Sequence, residues 1–182
     1  MSDAQLTPDV RDSDHVEGPA SAHVTLVEYG DYECPHCGAA HPIVASLRKR
    51  LAGKMRFVFR NFPLREAHPH AEHAAEAAEA VAALGGNDAF WKMHDTIFDN
   101  QDALDDENLA EYAEDCGVDE EKLFDALDEH TYSARVRADF NSGVRSGVNG
   151  TPTFFINGER FDGNWEDERA FEAALNAASR GR

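Results

Sequence analysis

The first residues able to do chemistry in this chain of 182 residues lie in Asp31-Tyr32-Glu33-Cys34-Pro35-His36-Cys37-Gly38. Two thiols at this spacing can close a small disulfide ring and cycle between dithiol and disulfide. They can also form half of a zinc site. The other half is missing: there is no second C-x-x-C, Cys116 stands alone, and His36 and His41 share the short segment of the pair. The surrounding pattern favours redox chemistry. Val24 to Tyr29 is a β-branched, apolar run that reads as a buried strand. Behind the pair, residues 38 to 52 place Ile43, Leu47 and Leu51 four apart on one helical face. The cysteines therefore sit where a strand passes into a helix, and Pro35 suits the first turn because its missing N–H would have had no partner there. Cys34 falls at the helix N-terminus, where free N–H groups and the macrodipole favour the reactive thiolate. This geometry is expected to expose Cys34 and turn Cys37 inward. His36, held between them, can donate a hydrogen bond or positive charge to the thiolate, which would make the pair more oxidising.

The residues Glu28 through Cys37, with Pro35-His36 between the cysteines, resemble the DsbA-like branch of the thioredoxin superfamily. Four further stretches agree in order: Arg56 to Leu64 with a core strand and its turn, and His68-Pro69-His70-Ala71 with the start of a helical insertion. Gly150-Thr151-Pro152-Thr153-Phe154 resembles the cis-proline loop, and Phe155-Ile156-Asn157-Gly158 the last hairpin. The resemblance covers residues from about 15 to the end. It implies a thioredoxin-like α/β fold, with a central mixed sheet and an inserted all-helical domain. It also implies a thiol–disulfide oxidoreductase without a cofactor. In that scheme Cys34 attacks, Cys37 resolves the mixed disulfide, and Thr151 with Pro152 docks an extended client by strand addition. Glu28 would be the buried acid that shuttles the proton of Cys37. Read from position alone, Glu28 could instead be an edge acid facing water.

Hydrophobic patterning divides the chain accordingly. Residues 1–14 are polar and acidic and are expected to form a flexible tail, while 15–64 and 148–182 carry the strand patterns of the core. Residues 65–147 read as helices, with the Ala71–Leu84 run stopped by Gly85-Gly86. Pro42 should kink the active-site helix, and Asn157-Gly158 is a strong hairpin signal. His68, His70 and His73 invite a metal reading, but no further ligand completes a set, so they read as solvated residues at a helix start. Cys116 follows Leu109, Tyr112 and Ala113 on an apolar stripe and reads as a buried, inert thiol.

The formal net charge of -18, with only four Lys, opposes nucleic acid or an anionic membrane as partner. Acids are spread over most polar faces, which suits a general solubility adaptation such as a halophilic one better than recognition of basic clients. Neither a signal peptide nor a run of membrane-spanning length is visible, so the expected location is cytoplasmic, with a trimmed extracytoplasmic form as the alternative. The expected partners are protein or peptide thiols and disulfides, together with a redox partner that recycles the pair. Competing readings are a cytoplasmic reductase or glutathione-linked enzyme on the same fold, and a chaperone-like binding module whose dithiol is incidental.

Overall fold

Every residue of strand β2 (Val24–Gly30) is buried, as expected of an apolar run at the centre of a sheet covered on both faces. Strand β3 (Met55–Asn61) pairs with it in parallel. β1 (His15–Glu17) runs antiparallel along the far side of β3, and β4 (Thr153–Ile156) antiparallel along the other side of β2. The hairpin partner β5 (Glu159–Phe161) completes the order β1-β3-β2-β4-β5. The computed structural model describes residues 4–181. Asn157 and Gly158 both take positive φ, at 50° and 88°, the left-handed pair that a two-residue hairpin requires.

The parallel pair is joined by helix α1 (Pro35–Arg50), which contains Pro42 and buries Cys37, Ala40, His41, Val44 and Leu47. Because strand side chains alternate, Val24, Leu26 and Glu28 project to one face and Val27 and Tyr29 to the other. Phe57 and Phe59 share the first face with α1, and Val58, Phe62 and Phe155 pack with Val27 and Tyr29 on the second.

Between β3 and β4 run the helices α2 (Ala71–Gly85), α3 (Asn87–Asp99), α4 (Asp106–Asp115), α5 (Glu120–Asp128) and α6 (Ser133–Arg145). Asp105 and Asp119 cap α4 and α5 by accepting from the N–H groups of Asn108 and Lys122. Helix α7 (Glu168–Arg180) closes the chain by burying Phe171 and Leu175. Among the described residues, no helix is long and apolar enough to cross a membrane.

The loose tail expected over residues 1–14 needs correction from Ala4 onward; residues 1–3 lie outside the described residues. Gln5 bridges to Glu159, and Leu6 is buried with its N–H on the Gly158 carbonyl at 2.8 Å. The reason lies in β3. Arg60 is wholly buried there, and it donates to the Pro8 and Asp9 carbonyls and to both Asp14 carboxylate oxygens. A guanidinium taken out of water must find such acceptors. The acidic segment supplies them, so it folds onto the sheet.

Candidate active site

The site begins at the end of β2, where Asp31 builds the turn that presents Cys34. One Asp31 carboxylate oxygen accepts from the N–H groups of Glu33 at 2.8 Å and Cys34 at 3.2 Å. Cys34 then caps α1, with Pro35 in the first turn. Gln101, just beyond α3, locks the turn from outside by donating to the Tyr32 and Cys34 carbonyls at 2.8 and 2.9 Å. A side chain at position 38 would collide with it, since a Cβ on Gly38 would fall 2.0 Å from the Gln101 amide oxygen.

The two cysteines sit in opposed electrostatic settings. Cys34 is held down at a pKa of about 5, first by the hydrogen bond from the Cys37 side chain, against the opposing effect of burial. The Thr151 side chain and the backbone N–H groups of Cys37 and His36 add to it. Cys37 is driven well above the ordinary thiol value, first by burial, then by its bond to Cys34 and by the charge of Glu28. At neutral pH the outer sulfur is ionised and the inner one holds its proton. The expected exposure of Cys34 is corrected: the residue is only 4% accessible, against 0% for Cys37. The 151–152 loop covers it, with the Thr151 carbonyl 3.6 Å from the Cys34 sulfur. The contrast between the thiols therefore rests on ionisation more than on access.

Thr151 and Pro152 are joined by a cis peptide bond beside this sulfur, and the Thr151 hydroxyl is buried without a hydrogen-bond partner at normal length among the described residues. Glu28 is 2% exposed, so its reading as a water-facing edge acid does not hold. Burial raises its pKa to about 8; Arg48 works against that rise and Cys34 adds to it. Its Oε1 has no hydrogen-bond partner among the described residues. His36, in contrast, has an exposed side chain, and what it offers Cys34 is its backbone N–H.

The histidines singled out after β3 do not converge. His68 bonds the second Asp31 oxygen at 2.8 Å, His73 bonds Asp106 at 2.8 Å, and His70 is exposed. Among the described residues, the group with metal-ligand spacing is His41, His94 and Asp95. Its donors are already engaged: Arg48 pairs with Asp95 at 3.0 Å and the Tyr32 hydroxyl meets the His94 Nδ1 at 3.0 Å. A guanidinium on the carboxylate opposes a second cation there. Cys116 is half-buried at the end of α4 rather than fully enclosed, and burial raises its pKa. Asp31 and Gln101 are site residues that the sequence analysis missed, and it did not connect His68 with the thiols. Only Asp31 had a local signal, an Asp three residues before a helix start.

The family model described as thioredoxin matches residues 11–177, and the chain belongs to that family. In fold it is similar to BdbD from Bacillus subtilis in its oxidised form, with a TM-score of 0.84 and 26% identity over 92% of this chain and 94% of that one. It is also similar in fold to the thiol-disulfide exchange protein alpha-DsbA2 from Wolbachia pipientis, with a TM-score of 0.72, 23% identity, and coverage of 89% and 87%. These likenesses bear out the thioredoxin-like fold with its helical insertion and agree in fold with the DsbA-like resemblance. Among curated proteins, the chain is 41% identical over 177 residues to Na(+)/H(+) antiporter NhaA 3 of Salinispora tropica. That match takes in 97% of this chain and 26% of the antiporter, so the chain spans about a quarter of the relative's length.

Proposed function

We propose that the chain exchanges disulfides with protein or peptide clients through Cys34 and Cys37, cycling without a cofactor. One observation carries the reading: a Cys34 sulfur with a pKa of about 5, bonded to a buried, protonated Cys37. That is the division of labour between an attacking thiolate and a reserve thiol. The fold shared with a protein named for thiol–disulfide exchange supports it.

In the reducing direction, the Cys34 thiolate attacks one sulfur of a client disulfide, and the other client sulfur leaves as a thiolate. Cys37 then gives its proton to Glu28 and attacks the Cys34 sulfur, releasing the second client thiolate. The client has gained two electrons and the pair is oxidised to a disulfide. The oxidising direction is the reverse, and a separate redox partner resets the pair. Glu28 suits the proton step because a carboxyl with a pKa of about 8 can accept and return a proton near neutrality. Thr151 and Pro152 stand beside the attacking sulfur, where they can align an extended client chain. The His36 backbone N–H supports the thiolate.

Turnover of a disulfide-bonded model peptide tests this reading. Wild type should exchange it, Cys34→Ser should be inert, and Cys37→Ser should accumulate a mixed disulfide at Cys34. Exchange persisting in Cys34→Ser would refute the assignment.

A further inference from the structure

Asp31 connects the nucleophile to a residue outside the C-x-x-C segment. Its side chain is 0% exposed, yet both oxygens are fully engaged. One takes the N–H groups of Glu33 and Cys34; the other takes the Leu64 N–H and the His68 Nδ1, each at 2.8 Å. The carboxylate therefore staples the Cys34 turn to the segment that follows β3. It also places a negative charge one hydrogen bond from the Cys34 backbone, close to a sulfur that must itself ionise. Like charges at such range disfavour the thiolate. A cation held on that carboxylate would offset its charge, and the His36 ring, which is exposed, forms no hydrogen bond to Asp31 among the described residues.

We propose that His68 is a positioning residue for Cys34 that acts through Asp31, fixing the active-site turn and, when protonated, offsetting the carboxylate charge held against the Cys34 backbone. The inference deepens the thiol–disulfide reading and rests on it. His68 is 18% exposed in its side chain, so its charge is only partly screened by solvent. The groups facing it from the Cys34 turn are Asp31, Glu33 and Cys34, all acidic or able to become anionic. On its own segment Arg65 is paired with Glu72. Burial alone would lower the His68 pKa; the Asp31 bond and the charges of Asp31, Cys34 and Glu33 reverse this and raise it. The coupling is reciprocal: what the thiolate does for the imidazolium, the imidazolium does for the thiolate. Loss of the His68 proton would leave Asp31 uncompensated and make Cys34 harder to ionise.

Two measurements test this. In the reduced protein, the Cys34 pKa is read from thiolate absorbance across pH for wild type, His68→Asn and His68→Lys. Asparagine keeps a donor to Asp31 without charge, and lysine keeps the charge. His68→Asn should raise the Cys34 pKa by about half a unit to one unit, and His68→Lys should stay close to wild type. The same shift should move the equilibrium with glutathione toward the disulfide by about threefold to tenfold in His68→Asn, at a pH above the Cys34 value in both proteins and low enough to keep His68 protonated in wild type. The second measurement needs no variant: the His68 imidazole, followed by NMR in wild type, should titrate lower in the disulfide form than in the dithiol form. An unmoved Cys34 pKa in His68→Asn, equal rises in both variants, or a His68 titration indifferent to redox state would each overturn the proposal. Should these shifts appear in a protein that fails to exchange a model disulfide, the His68 assignment stands and the oxidoreductase reading falls.

Discussion

Glu28 and Asp14 are both acids buried against the central sheet, on opposite faces, and the fold gives them opposite surroundings. Asp14 receives two bonds from the Arg60 guanidinium, at 3.0 and 2.8 Å, and one from the Arg11 N–H at 2.7 Å. Burial would raise its pKa, but these donors hold it below the usual carboxylate value. Among the described residues, Glu28 has no such donor set. One oxygen is unsatisfied, Arg48 acts on it only through space, and the pKa climbs to about 8. The paired acid stays ionised and ties the N-terminal segment to β3. The unpaired acid changes protonation near neutral pH, directly beneath a thiol that must lose a proton. A buried carboxylate with every partner made is structure, whereas one left wanting is available for chemistry.

The largest stability effect should come from breaking the paired side. Arg60→Met would leave Asp14 buried without its guanidinium, at a cost of about 3–5 kcal/mol in denaturant unfolding, with the Cys34 pKa unchanged. Adding Asp14→Leu should recover most of that loss, because the isolated charge is then gone. A loss below about 1 kcal/mol in the single variant would mean that Asp14 does not depend on Arg60, and the contrast with Glu28 would fail.

Glu28→Gln should act in the opposite direction. The folded pKa of about 8 lies above the ordinary 4.5, so wild type is penalised progressively as pH rises from 4.5 to 8, where folding must return a proton to a carboxylate that is ionised in the unfolded chain, and by the full amount above 8, where the buried group must be charged. The variant should gain about 2–4 kcal/mol over wild type above pH 8 and almost nothing near pH 4.5. It should also slow resolution of the mixed disulfide while leaving the first attack by Cys34 nearly intact. A stability difference that does not vary with pH would show that Glu28 ionises freely in the folded state.

Cys116 provides the smallest effect and a control for both sites. Cys116→Ala removes a half-buried sulfur at the end of α4 and should cost less than about 1 kcal/mol, with exchange rates unaltered. A disulfide between Cys116 and either active-site cysteine during turnover, detected by mass spectrometry, would bring it into the chemistry.

Local rules were enough for much of this protein. The alternation of β2, the C-x-x-C at a strand–helix junction, the acids that open α4 and α5, and the Asn157-Gly158 turn all act within a few residues of chain. Their patterns therefore carry their structures. Burial is different, because it depends on what arrives from elsewhere. Nothing around Glu28 reveals that α1 and β3 will seal it from water, and nothing near Cys34 reveals that the Thr151 loop will cover it. The polar character of residues 4–14 suggests a free tail until Arg60, some fifty residues later, is found buried with acceptors to fill. Spacing groups His68 with His70 and His73, yet it is drawn to Asp31, thirty-seven positions away. Residue types and short spacings determined which groups could react. The tertiary structure decided which of them are charged, because desolvation and pairing are set by neighbours that the chain brings together only when it folds.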